Sequence, residues 1–136
     1  MRALRYTVAL LLLLAAHPSP AGQDDDKTLR DLMQRKLKAS QRVLEGIALG
    51  NFEQIARNAE ELILISKEAE WKVYKTPVYE LHSNEFRRNA DGLVRAAKDK
   101  NLDGAALSYV DMTLNCVRCH RYVREVRMTR LDQRPD

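Results

Sequence analysis

The sequence predicts an all-α fold, an antiparallel up-down-up-down bundle of four helices. Three observations carry this. Apolar residues recur at three- and four-residue steps through nearly the whole chain beyond its first twenty residues. No stretch between turn signals sustains a two-residue alternation, so no sheet is expected. The turn signals divide the rest into four segments of roughly 20 to 25 residues with short loops between them, and short loops make consecutive helices antiparallel neighbours. The 136 residues suit one domain, and 45% hydrophobic content excludes wholesale disorder. Two cysteines cannot build a disulfide scaffold, so the interior must come from packing or from a bound group.

The elements follow in order. Arg2 and Arg5 precede an apolar run from Tyr6 to Ala16, and Ser19-Pro20-Ala21 supplies small residues beyond it. This is the order of a secretory leader over Met1–Ala21, too short for a comfortable membrane span, with a retained N-terminal anchor as the competing reading. No later segment is apolar enough to cross a bilayer. Residues 22–136 then form the domain. Its first helix carries Leu29, Met33, Leu37, Ser40, Leu44 and Ile47 as its stripe, with Asp24, Asp25 and Asp26 at the dipole's positive end and Gly50 as the stop. Asn51 with Gln54 three residues on reads as a capping box. The second stripe is Phe52, Ile55, Ala59, Leu62, Ser66 and Ala69, running on towards Trp71 or Val73. Thr76-Pro77 caps and opens a third helix with Val78, Leu81, Phe86, Leu93 and Ala97 inward. Asn101-Leu102-Asp103-Gly104 breaks the chain, with Asp103 the expected cap, and the last helix runs from about Gly104 to about Met128.

Charge narrows the classes of function. Losing Arg2 and Arg5 with the leader lowers the formal charge from +4 to +2, so nucleic-acid binding has no support as the main activity. There is no nucleophilic triad, paired-carboxylate site or glycine-rich phosphate loop, which leaves hydrolase and transferase readings without residues.

One motif carries chemistry. Cys116-Val117-Arg118-Cys119-His120 is a C-x-x-C-H, the attachment pattern of c-type haem. Each thiol adds across a haem vinyl group, three-residue spacing on a helix puts both sulfurs on one face, and the adjacent imidazole is the usual proximal iron ligand. For this composition the pattern arises by accident on the order of once in 3,000 chains, so it outweighs the alternatives. A thioredoxin-like dithiol wants a βαβ setting, a structural zinc site wants more soft ligands, and a disulfide across this spacing fits a regular helix poorly.

A leader, four amphipathic helices and one Cys116-x-x-Cys119-His120 near the C-terminus resemble cytochrome c′ and its low-spin relatives. The resemblance covers the domain in architecture and is sharp only around the motif. It implies one haem c held by the last helix inside the bundle, in a periplasmic protein that either transfers electrons with periplasmic redox proteins or binds gases. It also implies a homodimer, since members commonly pair. The basic residue that the family places one turn after the haem histidine is matched by Arg124.

The sixth iron position decides between functions. Met33, His82, Met112 and Met128 are the candidates. Met112 and Met128 lie eight residues from His120 on its own helix, roughly 12 Å along the axis, and cannot easily reach the opposite haem face. Met33 and His120 stand at nearly the same height above the shared end of the first and last helices, which makes Met33 the expected distal ligand. His82 is the runner-up and a vacant site the third choice. Met/His coordination describes a one-electron carrier, and an open iron describes a five-coordinate NO- or CO-binding protein. A peroxidase reading comes third and would need His82 as distal acid–base group. Arg118, Arg121, Arg124, Arg127 and Arg130 drift around the last helix; they solvate it, or one or two pair with haem propionates or steer an acidic partner. Trp71, Tyr74 and Tyr79, with Tyr109 and Tyr122, pack element ends, and one of them could wall the haem.

Overall fold

The computed structural model describes residues 21–68, 71 and 73–132. The leader expected over Met1–Ala21 therefore lies outside the described residues, apart from Ala21. Among the described residues there are four α-helices and no strand: α1 (Ala21–Leu49), α2 (Phe52–Ile65), α3 (Pro77–Lys98) and α4 (Leu102–Asp132). None is long and apolar enough to cross a membrane.

The ends form for the reasons the sequence gives, with one exception. Gly50 takes φ +65°, where a side chain would be strained. Asn51 accepts the Gln54 amide at 3.0 Å, although the Gln54 side chain turns away to the Arg42 carbonyl and Glu45 instead of closing the box. Thr76 accepts from the Tyr79 amide, with Pro77 in the first turn. At the fourth helix the cap is Asn101, which takes the Gly104 amide at 2.8 Å. Asp103, the expected cap, lies inside the first turn, where its charge suits the dipole.

Consecutive helices pack against one another, and α1 meets α4 least closely. The antiparallel sense shows in the pairs. Arg35 binds Glu61 and Glu68 while Gln54 reaches Glu45, and Thr76 bonds Tyr122 while Glu85 bonds Asn115. The core is Val43, Ile55, Ala59, Leu62, Ile65, Phe86, Ala90, Leu93, Ala105 and Met112.

Three expectations about faces and lengths change. On α1 the buried line is Leu32, Lys36, Ala39 and Val43, one residue off the expected stripe, and Leu37 and Leu44 are half exposed. Both lines are mostly apolar in sequence, the expected one interrupted by Ser40 and the buried one by Lys36. The second wins because its small residues let α2 approach: a Cβ on Gly46 would come within 3.0 Å of Ile55 Cγ1. On α3, Val78 and Leu81 face solvent, while Tyr79, Ser83, Phe86, Ala90, Leu93 and Ala97 face inward. Ser83 masks that seam in the sequence. Its hydroxyl donates to the Tyr79 carbonyl and accepts from Trp71 Nε1, so a polar residue is satisfied inside. Finally, α2 has only 14 residues, and the link to α3 is long. The helix stops at Ser66, whose hydroxyl bonds back to the Ile63 carbonyl, and the chain then turns Trp71 into the core.

Candidate functional site

A cleft of about 520 Å³ opens where α1 and α4 part. Asp26, Leu29, Met33 and Lys36 of α1 form one wall, and Cys119, His120, Val123, Arg127 and Arg130 of α4 form the other. Trp71, Val73, Tyr74 and Tyr79 close it from the side. Its size lies within the range of small-molecule and cofactor sites.

The height argument holds, though the helix ends differ from those expected. Met33 lies twelve residues after the start of α1 and His120 twelve before the end of α4. Both helices extend about a turn further than expected, the two extensions cancel, and the two side chains border the same cleft. Cys119 is half-buried there. Cys116, also half-buried, borders a shallow depression beside it with Val117, His120 and Arg124, so His120 belongs to both. The two thiols are free.

The other candidates separate. His82 does not border the cleft: it stands on α3 against Tyr122, ring centroids 6.1 Å apart, with Nδ1 buried 3.6 Å from Glu85, beyond hydrogen-bond reach. Met112 is in the core, and Met128 is exposed. Of the arginine series, Arg127 and Arg130 reach the cleft, Arg130 lying over the Tyr74 ring at 5.0 Å. Arg118, Arg121 and Arg124 are exposed. Trp71, Tyr74 and Tyr79 all serve as wall, and Trp71 packs on Phe86 at 5.1 Å. Tyr79 donates to the Trp71 carbonyl, which pins the loop to α3. Burial foremost pushes its phenol up to about 12, so it stays protonated.

Sequence reasoning missed Lys36. It is 8% exposed, deep in the cleft, with its ammonium 4.4 Å from both the Trp71 and Phe86 ring centroids. Among the described residues no carboxylate is paired with it. Desolvation therefore lowers its pKa, opposed by the Cys116 and Cys119 sulfurs. The available signal was its register: it follows Leu32 by four residues, on the line that α1 buries.

Electrostatics across the cleft are consistent with a positive interior. Partial burial, then Lys36 and Arg124, lower the His120 pKa, which favours the neutral imidazole. Burial raises the Cys119 thiol, with Lys36 acting against it. Two thiols, a neutral imidazole and a thioether around an aromatic-walled cleft form a donor set for a group that takes soft and nitrogen ligands. Among the described residues no three His, Cys, Asp or Glu side chains gather as a bare metal-ion site. No protein-family model, no curated protein and no solved structure matches this chain.

Proposed function

We propose that this chain is an exported c-type cytochrome of the periplasm, a one-electron carrier with one haem c. The observation that carries the reading is the meeting of Cys119, His120 and Met33 in one aromatic-walled cleft, below a C-x-x-C-H motif. The residues fit the group on three counts. The cleft is large and mostly apolar, Cys119 within it and Cys116 in the depression beside it are free thiols, and Arg127 and Arg130 at its border suit a ligand's carboxylates.

When bound, a haem supplies an iron that cycles between ferric and ferrous states. The protein's part is attachment and environment. Cys116 and Cys119 would hold the haem through thioether bonds, each thiol adding its S–H across a vinyl group with no net redox change. His120 would present its nitrogen from the same helix, with burial first and then Lys36 and Arg124 favouring its neutral form. Met33 presents a thioether from α1, a ligand that favours the reduced state. Trp71, Tyr74 and Tyr79 exclude water from the wall. Arg124 beside His120 adds positive charge next to the ligand.

Electrospray mass spectrometry of denatured protein from cells competent in cytochrome maturation tests attachment. A gain of one haem is expected, lost in Cys116→Ser/Cys119→Ser, and a bare polypeptide mass sinks the reading. Spectra test the ligands. The ferric protein should be low-spin with a methionine–iron charge-transfer band, and Met33→Ala should lose that band and bind carbon monoxide promptly when reduced. Prompt, full carbon monoxide binding by the unaltered protein would replace the carrier with the gas-binding alternative.

A further inference from the structure

The inner end of the cleft holds a positive charge without an answering negative one. Lys36 borders the cleft, is 8% exposed, and has its ammonium 4.4 Å from the ring centroids of both Trp71 and Phe86. The ring faces attract the cation but give it no oxygen acceptor. Among the described residues the ammonium donates to no oxygen and pairs with no carboxylate. Asp26, which also borders the cleft, stands ten residues earlier on α1, roughly 15 Å away along the axis. Burial raises the pKa of the Cys119 thiol and of the Tyr79 phenol, so neither supplies an anion there. A buried ammonium with no counter-charge is costly, and the cost falls when a ligand brings negative charge to it.

In the haem reading, on which this inference rests, the cofactor's own carboxylates are not that ligand. Lys36 lies fifteen residues after the start of α1, and Cys119 and Cys116 lie thirteen and sixteen before the end of α4. The three therefore share one level of the antiparallel pair, and both sulfurs act electrostatically on the ammonium. A haem joined to the two thiols has its vinyl-derived edge at that level, and its carboxylates leave from the opposite edge. Arg127 and Arg130, five and two residues before the end of α4, border the cleft at the outer level and suit them. Lys36 is left on the α1 wall, one turn from Met33, with its charge still unanswered.

We infer that the Met33 side of the haem is a site for a small inorganic anion, and that Lys36 is the residue that selects it. The anion gives a lone pair to the ferric iron as the Met33 sulfur withdraws its own. No electron or proton moves, and the ammonium supplies the counter-charge. In an apolar surround that attraction is worth more than in water. Carbon monoxide carries no charge and gains far less from it, so the lysine separates anionic from neutral ligands.

Azide is the probe. It is titrated at neutral pH and fixed ionic strength into the ferric, haem-loaded protein and into Met33→Ala, each with and without Lys36→Met, and followed by the Soret band. Met33→Ala should bind azide more tightly than the unaltered protein, having no thioether to displace. In both backgrounds Lys36→Met should weaken azide by about tenfold or more, and should change the carbon monoxide affinity of the reduced protein by less than about threefold. Azide affinity indifferent to Lys36→Met, equal losses for azide and carbon monoxide, or no azide binding by Met33→Ala at about 100 mM would each overturn the inference. If Met33→Ala does not fold, the Lys36→Met comparison in the unaltered protein decides. A bare polypeptide mass would sink the haem reading and this inference together, whereas a haem-bearing protein indifferent to Lys36 sinks the inference alone.

Discussion

At the residue scale, the informative side chain is Lys36. A charge taken out of water without a carboxylate destabilises the folded chain, and contact with two aromatic faces offsets only part of that cost. Its folded pKa lies below the ordinary lysine value of 10.5, so between the two the unfolded chain binds more protons. By linkage, this contribution makes stability rise with pH across that window and levels off above 10.5. Urea melts of the haem-free chain should show the rise. Lys36→Met should flatten it and stabilise the chain by about 1 kcal/mol at neutral pH. An unchanged pH profile in the variant would mean the ammonium reaches water. In the haem reading, this cleft-lining charge would disfavour the ferric state, as ligation by Met33 would.

At the scale of elements, the link from α2 to α3 decides whether the cleft exists. Trp71 is its anchor: buried, bonded through Nε1 to Ser83 at 2.9 Å and packed at a tilt against Phe86, with Tyr79 holding its carbonyl. Trp71→Ala should cost about 3–5 kcal/mol, the usual range for a large core aromatic. It should also release Tyr74 and Tyr79 from the cleft wall. Thermal melts give the first effect. In the haem-loaded protein, faster haem-edge access to solvent oxidants gives the second. A variant melting within a degree or two of the parent would show that the link is held elsewhere.

At the scale of the whole molecule, the feature that bears on partners is charge. Arg118, Arg121, Arg124, Arg127 and Arg130 gather towards the end of α4 that carries the cleft, and all are exposed. If they steer an acidic redox partner, raising ionic strength from 0.01 to about 0.15 M shortens the screening length from roughly 30 to 8 Å and should slow electron transfer several-fold. A salt-independent rate would leave them as solvating charge on the final turns.

The sequence by itself determined what depends on local rules. The four helices, the stop at Gly50, the start at Thr76-Pro77 and the C-x-x-C-H run are set by backbone sterics, capping and covalent spacing, none of which needs a distant neighbour. The common height of Met33 and His120 was also legible, because it depends only on rise per residue and antiparallel order. The tertiary structure alone decided which of two apolar lines on α1 is buried, since that turns on how closely α2 can approach over Gly46. It decided that His82 faces Tyr122 instead of the cleft, and that a lysine stands inside it. A helix with apolar residues on two sides carries no local signal of which side its own chain will cover. The physical reason is that burial is a property of pairs of surfaces, and a sequence specifies each surface before it specifies the pair.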